Sequence, residues 1–142
     1  MSSVEENIEV VRRLEEVFNQ GNFEILQELI TPDYVLHEIN QDFIGQEGLK
    51  RLVNHLRIPF PDYHQTIEKI LGEGDMVVIF YTIRGTFKNE LMGIPPTGKQ
   101  FELNEAVISR FENGKQAEVW VYYDTLTFYR QLGINPPDIK PI

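Results

Sequence analysis

At Pro59 and Pro61 the hydrophobic pattern changes period, and this change constrains the fold more than anything else in the chain. Before it, Ile8, Val11, Leu14 and Phe18 recur at helical spacing, as do Leu49, Leu52, Val53 and Leu56. After it, the pattern alternates in segments rich in Val, Ile, Tyr, Phe and Thr, which are strand formers. Helices followed by strands indicate an α+β domain rather than a parallel sheet with crossovers. Helices laid on one face of a curved antiparallel sheet would enclose a pocket suited to a small ligand.

The boundaries follow from local chemistry. Ser3 with Glu6 fits a capping box that starts the first helix, and Gly21 ends it. Asn22 is expected to cap a second short helix with Phe23, Leu26, Leu29 and Ile30 on its apolar side. Thr31-Pro32-Asp33 should stop that helix, because the residue before proline disfavours the α region. A short strand is predicted over 34–39, then a loop through Gly45 and Gly48, then the third helix. Four antiparallel strands are predicted over 63–71, 76–87, 101–111 and 116–124. A turn at Gly72-Glu73-Gly74-Asp75 joins the first two. Asn113-Gly114 marks a tight hairpin between the last two, since both of its central residues need positive φ. Leu126, Tyr129 and Leu132 suggest a closing helix before a proline-rich tail.

Composition removes whole classes of function. The chain of 142 residues has the length of one domain, expected over 1–142, and a formal net charge of -9. Such a charge repels phosphate backbones and anionic lipid surfaces, so neither nucleic acid nor a membrane is an expected partner. No cysteine is present, which excludes disulfides and thiolate chemistry. No apolar run approaches the roughly 20 residues that span a bilayer. The acidic start Ser2-Ser3-Val4-Glu5-Glu6 does not resemble a signal peptide, so a soluble cytoplasmic protein is expected.

Several motifs fail on physical grounds. Gly93-Ile94-Pro95-Pro96-Thr97-Gly98-Lys99-Gln100 nearly matches a phosphate-binding loop. Its prolines remove the N–H groups that a phosphate needs, and Gln100 stands where a magnesium-binding hydroxyl belongs. His37-Glu38 begins a zinc-protease pattern, but Gln41 replaces the second histidine. With only His37, His55 and His64 in the chain, no metal site is expected. Ser109 lies in mid-strand, outside any nucleophile-elbow sequence.

The last strand carries the constellation of interest. Side chains alternate faces, so Gln116, Glu118, Trp120, Tyr122 and Asp124 should share one face, and Ala117, Val119, Val121 and Tyr123 the other. The first face mixes two carboxylates with an indole and a phenol, which suits a cavity wall with polar tips. Asp124 there would be partly desolvated and strengthened as a general base. It could equally cap the following helix. His37 is a second candidate, on the face of Val35 and Ile39. Tyr34, Asn104 and Arg110 are further polar strand residues.

A set of ordered motifs resembles the SnoaL-like polyketide (ester) cyclases. They are Glu6-Asn7, Asn19-Gln20-Gly21-Asn22, Asp33-Tyr34-Val35 with His37, Gly45-Gln46-Glu47-Gly48, Phe60-Pro61-Asp62, Gly93 to Lys99, Asn113-Gly114-Lys115, Glu118 with Trp120 and Asp124, and Gln131-Leu132-Gly133. The resemblance implies a nuclear transport factor 2-like cone: a curved antiparallel sheet wrapped by three N-terminal helices around a deep pocket. It implies intramolecular aldol ring closure on a small hydrophobic carbonyl compound, without metal or cofactor. Asp124 maps to the family's base, with His37 beside it and Trp120, Tyr122, Glu118, Phe80, Asn104 and Tyr34 around the substrate. A homodimer or homotetramer is also implied. Phe80 and Phe87 stand where many relatives carry an arginine and a histidine, which makes the expected pocket less polar. The alternative is therefore a protein of the same fold that binds a small molecule without chemistry.

Overall fold

A computed structural model describes residues 3–135, so the proline-rich tail lies outside the described residues. The elements run α1 (Val4–Gln20), α2 (Leu26–Leu29), β1 (Ile30–His37), β2 (Asp42–Ile44), α3 (Gly45–Arg57), β3 (His64–Glu73), β4 (Met76–Thr86), β5 (Gln100–Glu112), β6 (Lys115–Tyr123) and α4 (Thr125–Gln131). The strands form one sheet in the order β2-β1-β6-β5-β4-β3. The expected α+β class, with a curved sheet and helices against it, is what the chain adopts.

Local signals act as expected at several ends. The Ser3 hydroxyl oxygen accepts from the Glu6 N–H at 3.1 Å, and Gly21 closes α1 in the left-handed region at φ 70°. Asn113 and Gly114 take φ 49° and 81°, and the β5–β6 hairpin turns there.

Several expectations are corrected. First, α2 is a single turn beginning at Leu26, and Asn22 does not cap it; the Asn22 side chain instead accepts from the Glu24 N–H at 3.2 Å. Thr31-Pro32-Asp33 lies inside β1, where proline's fixed φ suits extended backbone. Second, the stretch read as a loop contains β2, and α3 begins at Gly45, ahead of the expected apolar run. Third, the sheet is not wholly antiparallel. β1 lies parallel to β6, with Leu36 opposite Val119 and His37 opposite Trp120. Strand β3 also runs through Gly72 and Glu73, so only Gly74 and Asp75 form the turn.

The helices pack on the concave face. From α1, Val11, Leu14 and Val17 are buried, and from α3, Leu49, Leu52 and Val53. Polar contacts fix where the helices end. The Asn19 side chain pairs with the backbone of Gln65, donating at 2.9 Å and accepting at 2.8 Å. Arg57, ending α3, donates to the carbonyls of Phe18 and Asn19 at 3.3 and 2.5 Å, where the last carbonyls of α1 lack helical partners. One end of the cone is filled by Phe60, Phe87, Phe101 and Phe128, whose rings meet at tilted or edge-on angles.

Close approach of α3 to β2 depends on Gly48. A Cβ there would lie 2.8 Å from the carbonyl carbon of Phe43, and backbone cannot yield as a side chain does. Gly48→Ala should cost about 1–3 kcal/mol, read as a lower urea midpoint with unchanged slope. An unchanged midpoint would show that the contact relaxes freely.

Candidate active site

The concave face of the sheet and helices α1 and α3 border a small cavity of about 50 Å³. Val11, Leu14 and Phe18 close it from α1, and Leu52 and Leu56 from α3. Its sheet wall carries Tyr34 and Leu36 on β1, Gln65 on β3, Tyr81 on β4, Glu105 and Val107 on β5, and Gln116, Val119 and Val121 on β6, with Glu38 just after β1 and Tyr63 just before β3. A second chamber of about 230 Å³ lies beyond it, lined by Phe43, His55, Phe60, Met92, Tyr123, Phe128 and Tyr129 among others. Glu38, Leu52 and Leu56 border both spaces.

The polar chemistry is concentrated in one rung of the sheet. Tyr81 on β4 lies opposite Glu105 on β5, and Glu105 lies opposite Tyr123 on β6. Directly opposite residues hold their Cβ atoms about 4.5–5.5 Å apart, so the carboxyl sits between two phenol rings. Glu105 keeps some accessible surface because it borders the cavity, yet the protein around it desolvates the group strongly. Burial, reinforced by the charge of Glu38, pushes its carboxyl up to about 8. Glu38 is also raised by burial, but the Ile39 N–H and the Tyr123 hydroxyl both donate to it and restrain the rise. Burial raises Tyr34, Tyr63, Tyr81 and Tyr123 as well, so these phenols remain O–H donors through neutral pH. The Tyr63 hydroxyl donates to Gln65 Oε1 at 3.0 Å. The arrangement combines a mostly protonated carboxylic acid, a second carboxyl raised by burial and several phenols around apolar walls.

Most of the residues expected to form the site lie elsewhere. Tyr34 does line the cavity. Trp120, Tyr122 and Glu118 do not: they point to the convex face, while Val119 and Val121 face inward. Both faces of β6 carry large apolar groups, so alternation alone does not reveal which one the helices cover. Gln116 was also expected on the face of Glu118. A bulge between the Arg110–Glu118 and Phe111–Gln116 pairs shifts its side and turns it into the cavity. Phe80 and Asn104 are exposed on the convex side, Phe80 at 42%. Phe87 is buried in the aromatic cluster.

His37 is likewise convex. Its Nδ1 lies 2.8 Å from Asp42 Oδ1 and its Nε2 lies 2.6 Å from Glu118 Oε2, and its ring stacks on Trp120 at 5.6 Å. Glu118, then Asp42, raise its pKa by hydrogen bonding. Arg110 donates to Glu112 at 2.6 Å and to Glu118 at 3.5 Å. This network ties β2, β1, β6 and β5 together from outside.

Asp124 is exposed, and the expectation that it sits desolvated among aromatic walls is corrected. It caps α4, accepting from the Thr127 N–H at 3.0 Å and the Thr127 hydroxyl at 2.7 Å. Those bonds, the backbone one first, lower its pKa instead of raising it. The cap reading of the sequence describes its place.

Glu38, Glu105, Tyr63, Tyr81 and Tyr123 were not singled out from sequence. A signal existed for Glu105: it stands between Leu103 and Val107 at two-residue spacing, on an otherwise apolar strand face. Glu38 similarly follows Tyr34 and Leu36. Among the described residues, no three His, Asp or Glu side chains come together so as to hold a metal ion.

Residues 8–132 match the model of the SnoaL-like polyketide cyclase family, and the chain belongs to that family. It is 30% identical over 131 residues to the aklanonic acid methyl ester cyclase DnrD of Streptomyces peucetius, covering 89% of this chain and 90% of that one. It is 28% identical to the nogalonic acid methyl ester cyclase of Streptomyces nogalater, covering 85% and 92%. Among solved structures, IdmH from Streptomyces antibioticus shares 33% identity with a TM-score of 0.77, covering 90% of this chain and 99% of that one. These relatives fit the nuclear transport factor 2-like cone expected from the motifs.

Glu105 ties stability to pH. A carboxyl raised from 4.5 to about 8 loses folded-state stability as pH rises across that window, because the unfolded chain ionises first. Glu105→Gln should therefore be more stable than the parent at pH 9. The difference should shrink below about pH 8 and vanish near pH 4. Urea midpoints against pH measure this, and a constant difference would remove the burial argument.

Proposed function

We propose that the chain closes a ring by intramolecular aldol addition on a small hydrophobic carbonyl compound, with Glu38 as general base and Glu105 as general acid. The unequal settings of these two carboxyls on one cavity wall carry this reading. Where environments drive two titrating groups apart, acid and base roles follow. Glu38 takes a proton from a carbon activated by neighbouring carbonyls. The resulting enolate carbon attacks a ketone of the same molecule, forming the C–C bond as the ketone C=O π bond opens. Phenol O–H groups of the cavity are placed to steady the developing oxyanions. Glu105 delivers its proton to the new alkoxide, and the proton held by Glu38 then passes to the Glu105 carboxylate, so the pair ends as it began. The family's relatives named for methyl ester substrates support a neutral, esterified compound. A cytoplasmic location is proposed on the acidic, cysteine-free composition.

Aklanonic acid methyl ester and nogalonic acid methyl ester are the first substrates to test, with cyclisation followed chromatographically. Glu38→Gln and Glu105→Gln should each lower kcat by about 10²-fold or more, as removal of a general acid or base does. The parent's kcat/KM should fall as Glu38 protonates, and again above about pH 8 as Glu105 ionises. Near-parental turnover in both variants would sink the assignment.

The convex face is proposed as the contact between copies of the chain, in a homodimer or homotetramer. Exposed Phe80, Tyr122 and Leu71 support this, with exposures of 42%, 55% and 60%. Light scattering should give a dimer or tetramer mass for the parent and a smaller mass for Phe80→Glu. A monomeric parent would refute it.

A further inference from the structure

We propose that Met92 and Ile39 form an apolar rim that grips the flat, neutral body of the substrate in the outer chamber, while its reacting carbonyl end enters the inner cavity. The reaction this rim would serve rests on the ring-closure reading above; the binding does not.

The sizes of the two spaces divide the ligand. The inner cavity of about 50 Å³ has room for a carbonyl group or one or two waters, each with a share of about 30 Å³ in the liquid. The outer chamber, at about 230 Å³, is several times larger. A molecule long enough to close a ring on itself therefore keeps most of its atoms in the outer chamber. The lining there carries no lysine or arginine, and Glu38 repels a second carboxylate, so the occupant is neutral. Phe43, Phe60, Phe128 and Tyr129 offer ring faces and edges, which suit a flat aromatic body.

Met92 occupies a costly position on this chamber. It takes φ 46° and Gly93 takes φ 82°, while Leu91 and Ile94 exchange backbone hydrogen bonds at 3.1 and 2.8 Å across them. A two-residue turn of this kind favours Asn, Asp or Gly at its first central position. Methionine has neither glycine's freedom nor a short polar side chain to bond locally. Its side chain is 64% exposed, so burial does little to offset the strain. Strain kept where a side chain borders a cavity points to a use outside folding. The turn is also moored. Leu91 is buried, the Lys88 and Asn89 N–H groups donate to the Pro59 carbonyl at 3.0 and 3.2 Å, and the Asn89 side chain donates to the Ile58 carbonyl at 2.9 Å. A soft thioether on a fixed backbone adapts to aromatic faces of different outline.

Ile39 stands on a different loop, just after β1, and is likewise exposed and on the chamber lining. Its N–H donates to Glu38 Oε1 at 3.4 Å. A body seated on Ile39 thus lies one residue from the proposed base. Among the described residues, no other exposed large apolar side chain lines this chamber.

Aklanonic acid methyl ester is the probe, with binding followed by fluorescence titration and folding by urea midpoints. Met92→Asn suits the turn and removes the apolar tip, so it should raise the urea midpoint and yet raise Kd about 5- to 10-fold. A defect of folding cannot produce that pair of changes. Ile39→Ser should raise Kd by a similar factor, and Met92→Leu should recover most of the affinity. In protein labelled with ¹³C at the methionine methyls, with Met92→Asn to assign the signal, the Met92 resonance should move upfield on saturation with the probe. The kcat/KM of Met92→Asn should fall in proportion to its affinity, chiefly through KM. No binding to the parent, unchanged Kd in the two rim variants, or an unmoved Met92 methyl at saturation would overturn the proposal. So would a lowered urea midpoint in Met92→Asn, which would show that Met92 serves folding. A probe that binds through the rim but is never cyclised defeats the ring-closure reading alone. Cyclisation with unchanged kcat/KM in both rim variants defeats the rim alone.

Discussion

The concave face of this sheet must accommodate a carboxyl, Glu105, in a row otherwise given to apolar side chains. An ionised carboxylate in such a place would cost many kcal/mol, so the group stays largely protonated. The cavity lining contains neither lysine nor arginine to reverse that outcome. Tyrosines on both neighbouring strands flank the carboxyl, and α1 and α3 seal the space above it. The anchoring of Asn19 and Arg57 at the helix ends gains its meaning from this arrangement, since a displaced helix would admit water and let the acid ionise. Stability and chemistry thus depend on the same exclusion of solvent.

Features set by neighbouring residues were legible in the sequence. The Ser3 cap, the Gly21 stop, the Asn113-Gly114 turn and the α+β order each follow from one or a few adjacent side chains. Features set by distant packing were not. The parallel pairing of β1 with β6 joins residues some eighty positions apart, and no local pattern encodes it. The inward face of β6 is of the same kind: Trp120 and Tyr122 are as apolar as Val119 and Val121, and only the placement of the helices separates them. The bulge at Gln116 adds a one-residue phase change that strict alternation cannot anticipate. Family resemblance identified the fold and the family, but it drew attention to Asp124 and away from the carboxyls of the cavity.

The two faces of the sheet divide their labour. On the convex side His37, Asp42, Glu118 and Arg110 form an ionic lattice that remains partly solvated and joins strands laterally. Exposed pairs of this kind contribute little individually, but a stacked histidine held by two carboxylates fixes geometry where β1 meets β6. On the concave side polar groups are few, enclosed and shifted toward their protonated forms. Carboxyls thus occur on both faces of the sheet, and burial raises the two on the concave one, Glu38 and Glu105.

Glu38 borders both the inner cavity and the outer chamber, whereas Glu105 borders only the first of these. The two protons therefore have different histories. In the proposed ring closure, a hydrogen taken by Glu38 would stand beside the outer chamber and could be traded for a solvent hydrogen before the enolate reacts. A bound ketone held in heavy water would then acquire deuterium at the activated carbon even when ring closure stalls. The wall that separates the two chambers governs isotopic memory as well as access.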